Sequence, residues 1–324
     1  MKKIKQIVAL TAGLFAFTSV NAGEMSVTGS MHATYQSEQN NVTGNPLGLN
    51  TDLTFSGSTD TDFGTVSMSL ATDGTFLGDS GADHTYTLAT GMGSFIIANN
   101  GDAANAVDDI TPSAFEEANG SGSGSYTTDF GSGMDGSMSL TYGNSDLAGT
   151  GISVAYSYYP KLDATTNNEK AASGTADSSA GSAESINVGI PLAGVPGIGS
   201  TPLGGAKITL GYEESDALVT DAQAKQGGTV AVVLPVGSFK IGYQKKGYQA
   251  AGTSTAEAQD AFYKDDIVGV AYSINEEFAL SYNRIESQKH NHGPGTQIDQ
   301  ETKEYKQQYP GYLKTSNGIC APCC

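Results

Sequence analysis

The sequence predicts an all-β protein whose strands form an antiparallel up-and-down β-barrel that spans a membrane. Thirteen segments alternate apolar and polar residues with a period of two, which is the pattern of strands with one apolar and one polar face. No amphipathic helical segment of useful length lies between them. Short and long connections alternate along the chain, as expected when each strand turns back beside the previous one.

The N-terminus has the three parts of a cleavable export signal. Lys2, Lys3 and Lys5 make it basic, residues 7–17 form a short apolar segment, and Val20-Asn21-Ala22 supplies small residues before the cleavage point. The alternative, a membrane anchor, needs a longer apolar segment than this one. We therefore predict a signal peptide at 1–22, a barrel domain at 23–305 and an atypical tail at 306–324.

The first predicted strand shows the alternation most clearly. Between Met25 and Tyr35 every second residue is apolar or small, and the residues between them are serine, threonine or histidine. In a membrane barrel such a strand presents one face to lipid and the other to water. Twelve further strands follow this pattern, with their apolar positions in Leu49–Phe55, Val66–Leu70, Tyr86–Leu88, Phe95–Ile97, Met138–Tyr142, Ile152–Tyr158, Ile186–Ile190, Ala206–Tyr212, Val230–Leu234, Phe239–Tyr243, Val268–Ile274 and Phe278–Tyr282.

The connections at the two ends of the strands differ in length. Ser58–Gly64 and Gly91–Gly93 are short turns, whereas Ser37–Gly48 and Lys161–Ala183 are long. Pro191–Gly204 is an exception, because it is long where a short turn is due. The asymmetry is typical of outer-membrane barrels, which have tight turns on one side and long loops on the other.

A secreted or surface-bound β-sandwich, such as an adhesin, is the alternative, because its strands also have one apolar and one polar face. A sandwich of this size needs a thick aliphatic core, but the apolar positions here are often Val, Met, Ala, Gly or Tyr. Aromatic residues also lie toward strand ends, where girdles border the lipid of membrane barrels. Both observations favour the barrel.

The chain is strongly acidic, and its basic residues are unevenly distributed along the sequence. The chain has 34 acidic and 16 basic residues, a formal net charge of −18 and no tryptophan. No lysine or arginine lies between Gly23 and Pro160, although sixteen acidic residues do. Because such a chain repels the phosphate backbone, nucleic acid is excluded as a partner.

Several segments occur in an order that carries a family resemblance. The turn Asp60–Gly64 leads into Thr65–Met68, the long insertion Gly101–Asp135 follows strand 5, and the pair Tyr142–Leu147 and Ile152–Tyr158 comes next. In this order the chain resembles the general porins of Gram-negative bacteria. The resemblance implies a sixteen-stranded barrel in outer-membrane lipid, a homotrimer, a constriction loop at 101–135 folded into the lumen, and a water-filled channel for passive diffusion of ions and small hydrophilic solutes.

The predicted constriction loop is rich in carboxylates. Thr111 and Pro112 suit the start of a short helix at Ser113–Ala118, since threonine caps helices and proline favours the first turn. An exposed acidic surface loop is the alternative. The resemblance favours a loop that lines the pore with the carboxylates of Asp102, Asp108, Asp109, Glu116 and Glu117.

In the porins, basic side chains on the barrel wall oppose these acids. The early strands contain no lysine or arginine, so the candidates for a basic wall are Lys207, Lys240 and Lys246, which fall on the polar faces of their strands. An acid-rich constriction with few bases predicts weak cation selectivity, as charged rings produce in channels.

No catalytic motif stands out, so we expect no enzymatic activity and no cofactor. No nucleophile elbow marks a Ser-His-acid site, and His290-Asn291-His292 is too weak a signature for a metal site. Carboxylate-rich loops are nevertheless suited to hold a divalent cation.

The C-terminal end departs from the pattern. Glu301–Tyr305 resembles the start of strand 14, but residues 306–324 lose the alternation and contain Pro310, Pro322 and three cysteines. We expect strands 15 and 16 to be missing and the tail to be out of register with the family, as in a chain truncated by a shifted reading frame. A natural variant with an unusual tail is the alternative.

Overall fold

The computed structural model describes residues 25–35, 47–73, 83–99, 101–112, 137–160, 162, 181–216, 224–249, 260–274, 278–292, 300–308, 311–314 and 320–322. Within these ranges no helix is long and apolar enough to cross a membrane. The strands are β1 (Met25–Tyr35), β2 (Leu47–Thr61), β3 (Gly64–Asp73), β4 (Asp83–Thr90), β5 (Gly93–Ala98), β6 (Ser139–Asn144), β7 (Ser153–Tyr159), β8 (Ala183–Pro191), β9 (Lys207–Ser215), β10 (Lys225–Val236), β11 (Phe239–Gln249), β12 (Asp260–Ser273), β13 (Phe278–His292), β14 (Gln300–Gln308), β15 (Gly311–Lys314) and β16 (Cys320–Pro322).

Each strand from β1 to β13 pairs antiparallel with the next strand in the chain, which is the up-and-down topology predicted from the sequence. All thirteen predicted strands lie at the predicted positions. β16 pairs with β15 and lies in contact with β1. The protein is therefore all-β and has the antiparallel up-and-down topology of a β-barrel.

The C-terminal strands correct one expectation. Strand 14 begins at Gln300, as the Glu301–Tyr305 pattern indicated, but short strands also form in the tail, where we expected none. β14 and β15 both pair with β13: Asn283 opposes Gln308 and Leu280 opposes Gly311, in one continuous register. The free edge of β13 offers backbone hydrogen bonds, and these do not require the alternation of side chains that the sequence prediction relied on.

The two faces of the sheet invert the arrangement of a soluble protein. Val230 and Ile241 on the outer face are each 45% exposed, whereas Glu213, Gln244 and Asp265 on the inner face are completely buried. A β-sandwich buries its apolar faces against each other, and this sheet leaves them outside. The distribution suits a barrel with lipid outside and polar surroundings inside, where buried polar groups find hydrogen-bond partners.

The connection Pro191–Gly204, which is longer in sequence than the other turns at its end of the sheet, also folds as a compact turn. The chain between β8 and β9 forms two short 3₁₀ turns, Leu192–Gly194 and Pro202–Gly205. The Leu192 N–H donates to the Ala206 carbonyl at 2.8 Å, which closes the connection at its base. It is therefore long in sequence but leaves the strands adjacent, as a tight turn does.

Candidate functional site

The chain that leaves β5 lies against the inner face of the sheet. We call residues 101–112 the crossing segment. Its first carbonyl, that of Gly101, accepts hydrogen bonds from the hydroxyls of Ser139 and Thr141 at 3.1 Å and from Ser157 at 2.8 Å. These hydroxyls stand on β6 and β7, at alternate positions that face inward. A row of small hydroxyl residues thus holds the start of the segment on the wall.

The next two residues bind β8. The Ser185 hydroxyl donates to Oδ1 of Asp102 at 2.5 Å, and the Ala104 N–H donates to the same oxygen at 2.8 Å. The Asn187 amide donates to the Ala103 carbonyl at 2.6 Å. Because Asp102 is buried, its carboxylate ties the segment to β8 and also orders the turn that follows.

The middle of the crossing segment is a 3₁₀ turn at Asn105–Val107 that packs on apolar wall residues. Ala104 and Val107 are buried against Tyr248 of β11, with Ile110 and Tyr263 at the edge of the cluster. These contacts exclude water from one side of the segment, so apolar packing reinforces the polar anchors.

Gln244 of β11 binds the far end of the crossing segment. Its Nε2 donates to the carbonyls of Val107 at 2.9 Å and Asp108 at 2.8 Å, and lies 3.0 Å from the Thr229 hydroxyl. Its Oε1 accepts from the Thr111 hydroxyl at 3.1 Å. A single buried amide therefore satisfies two backbone carbonyls and joins the segment to β10 and β11.

Glycines on the wall make room for the end of the segment. A Cβ at Gly242 would fall 2.2 Å from Cδ of Pro112, and one at Gly269 would fall 2.6 Å from Cγ2 of Thr111. Larger residues on β11 and β12 would displace the segment. The segment thus crosses the inner face from β6 to β12 as a fitted part of the wall.

Solved structures resemble this fold. A Vibrio cholerae outer membrane protein, the OmpT variant lacking loop L8, matches with a TM-score of 0.56 and 11% identity over 92% of this chain and 90% of its own. A Salmonella typhi OmpF complex with daunomycin has a TM-score of 0.56 and 13% identity, over 91% and 87%. A porin refined at 1.8 Å resolution has a TM-score of 0.53 and 13% identity, over 88% and 100%. The chain has the porin fold. No protein-family model and no curated protein matches the sequence.

In this porin fold the predicted constriction acids differ in position. Asp102 is buried where the segment meets β8, Asp108 is half-buried and Asp109 is exposed. Burial, together with the neighbouring charge of Asp109, raises the pKa of Asp108 to about 7, although the ammonium of Lys246 lowers it. Glu116 and Glu117, and the helix predicted at Ser113–Ala118, lie outside the described residues.

The three predicted wall lysines all share the inner face with buried polar residues of their strands. Lys246 is 9% exposed and acts electrostatically on Asp108, so the structure brings these two together. Lys207 and Lys240 are exposed and stand next to the short turns of β9 and β11. On β11, Lys240 is about 20 Å from Lys246 at the usual rise of a strand.

Other wall residues were missed by sequence reasoning. Lys225 and Glu213 form a buried ion pair with an N–O distance of 3.1 Å, and Asp265 is the cross-strand partner of Lys246. The alternation of polar and apolar residues in β9 already places Glu213 on the polar face, and the same alternation in β12 places Asp265 on its polar face. Gln244 carried no signal, because a polar residue on a polar face is unremarkable without its partners.

Metal binding has little support in the part of the chain that the structure describes. No group of three His, Cys, Asp or Glu residues there lies close enough together to hold a metal ion. Glu116 and Glu117 of the acidic loop lie outside these ranges, so the divalent-cation expectation stays a prediction.

Proposed function

We propose that this protein forms a water-filled channel in the outer membrane for passive diffusion of ions and small hydrophilic solutes, and that it performs no catalysis. The observation that carries the proposal is the inverted burial: apolar side chains cover the outer face, and buried polar and charged ones line the inner face. The porin fold and the crossing segment on the inner face support it further. A secreted adhesin is less favoured, because its outer face would expose these apolar residues to water.

The crossing segment is proposed as the constriction, with weak cation selectivity. Lys225 is neutralised by its ion pair with Glu213, and Lys246 is the cross-strand partner of Asp265 and acts electrostatically on Asp108. The wall lysines near the segment therefore have acidic partners, whereas Asp109 is exposed. An exposed carboxylate at a constriction attracts cations and repels anions.

We propose a homotrimer in outer-membrane lipid as the working form, and this rests on the family resemblance. Fractionation into outer membranes and a change in gel mobility on heating test the folded barrel. Liposome swelling by small sugars separates an open channel from a closed barrel or an adhesin. A folded protein that gives no swelling and no conductance would refute the channel.

Selectivity is tested by the reversal potential in a KCl gradient. The wild type should show cation preference, and Asp109→Asn should reduce it, because one negative charge leaves the segment. Asp62→Asn is the matched control, since it removes the same charge at the turn between β2 and β3. An anion-preferring reversal potential for the wild type would contradict the selectivity but leave the channel intact.

A further inference from the structure

Two glycines face each other on the inner wall where the crossing segment ends. Gly242 of β11 and Gly269 of β12 are direct cross-strand partners, and both are buried on the inner face. We call this pair the glycine notch. Larger inward side chains border it, namely those of Gln244, Ile267 and Asn283, all of which are buried. The inner layer of side chains therefore has a gap that is two strands wide.

Backbone conformation does not require glycine at either position. Neither residue has a positive φ, so alanine can adopt the same backbone. Glycine inside a strand weakens it, and it is typical of places where another piece of backbone approaches closely. The crossing segment makes this approach, because Thr111 and Pro112 lie over the notch. Space, and not conformation, explains the two glycines.

The fit between the notch and the segment leaves no free space. A Cβ at Gly242 would fall 2.2 Å from Cδ of Pro112, whereas ordinary van der Waals contact begins at 3.4 Å. An added methyl must therefore move the proline ring by at least 1.2 Å. The segment is tied at both ends, by Gln244 at one and by the anchors of Gly101 and Asp102 at the other. It cannot slide along the wall, so the movement that remains is away from the wall.

We propose that Gly242 and Gly269 are specificity-determining residues that set the size limit of the channel. Because they lack side chains, the crossing segment lies back against the wall and leaves the lumen wider. A methyl group at either position pushes the segment toward the lumen and narrows the path of the solute. The inference rests on the proposed function, since it presumes that solutes pass beside the segment.

Alanine substitutions test the notch in the full-length protein. We expect Gly242→Ala and Gly269→Ala to lower the single-channel conductance in KCl and to slow liposome swelling, with a loss that grows with the size of the sugar. The loss should be greater for Gly242→Ala, because the nearest atom to a Cβ at Gly269 is farther away, at 2.6 Å. Gly143→Ala is the matched control. It adds the same methyl to the inner face of β6, where the Cβ meets nothing within 4 Å, and should behave as the wild type.

A second substitution in the segment makes the test specific. Pro112→Ala removes Cγ and Cδ, so that the nearest remaining atom to a Cβ at Gly242 is the backbone nitrogen of residue 112, at 3.5 Å. Adding Pro112→Ala to Gly242→Ala should therefore restore the conductance and the size limit. Adding it to Gly269→Ala should not, because the carbonyl oxygen of residue 112, at 2.7 Å, and Cγ2 of Thr111 stay in place. A general loss of stability would not follow this pattern of rescue.

The outcomes separate this inference from the proposed function. The change in gel mobility on heating shows which variants fold, and Gly269→Ala, with the smaller overlap, keeps the test decisive if Gly242→Ala does not. If both variants fold and match Gly143→Ala, or admit larger sugars than the wild type, the notch does not set the size limit. Failure of Pro112→Ala to rescue Gly242→Ala would also overturn the inference. A wild type that folds but neither conducts nor admits sugars would instead refute the channel itself.

Discussion

Replacing Gln244 by leucine should loosen the constriction while leaving the barrel intact. The side chain is completely buried and joins the crossing segment to β10 and β11. Leucine has a similar size but no hydrogen-bonding group. The change therefore removes the far anchor of the segment, whereas the hydroxyl row that binds Gly101 and the contact of Asp102 with Ser185 remain.

The size of the effect follows from the contacts. Three contacts of the amide hold the segment: its Nε2 donates to the carbonyls of Val107 and Asp108, and its oxygen accepts from the Thr111 hydroxyl. Three hydrogen bonds at about 1 kcal/mol each amount to about 3 kcal/mol of lost tethering. Because 1.4 kcal/mol changes an equilibrium tenfold, the undocked fraction of the segment should rise roughly a hundredfold.

Single-channel recording and liposome swelling measure this effect. We expect Gln244→Leu to show larger open-channel current fluctuations and to admit larger sugars than the wild type. Gln226→Leu is the matched control, because Gln226 is exposed on β10. If Gln244→Leu folds and its current noise and sugar cut-off equal those of the control, Gln244 does not hold the constriction.

Three further changes probe the wall and the turns. As pH rises through about 7, Asp108 should lose its proton, so the reversal potential should shift toward stronger cation preference, and Asp108→Asn should remove this step. Lys225→Met should lower the stability of the barrel by roughly 3–5 kcal/mol, because it leaves the Glu213 carboxylate buried without its ion-pair partner, and the temperature of the gel-mobility change on heating measures the loss. Gly64→Ala should cost roughly 1–3 kcal/mol by the same assay, because Gly64 has a φ of +142° and an added Cβ would fall 2.0 Å from the Ala89 carbonyl oxygen.

Each of these changes has its own control. A pH step that persists in Asp108→Asn would assign the titration to another group. Adding Glu213→Gln to Lys225→Met should restore most of the stability, and no recovery would mean that the uncompensated charge is not the cause. Gly91→Ala, whose Cβ would meet nothing within 4 Å, should be tolerated, and an equal loss there would argue against the steric explanation for Gly64.

The strands were predictable because their signal is local. Alternation between Met25 and Tyr35 shows which side chains share a face, whatever the strand pairs with. The tail was predicted less well, since β15 and β16 are added to an existing edge and need no alternation of their own. The contact between Thr111 and Gln244 joins residues 133 positions apart, and no local pattern marks either one.

By itself the sequence determined that the protein is an up-and-down all-β barrel with an apolar outside and a long acidic insertion after the fifth strand. Period-two alternation and turn residues act over a few positions, so they can be recognised without the partner strand. Only the tertiary structure decided how the insertion is used: Asp102 buried as an anchor, Asp108 beside Lys246, and Gln244 as the far anchor. These roles depend on which inward positions of distant strands come together when the sheet curls, and that is set by register and curvature across the whole barrel.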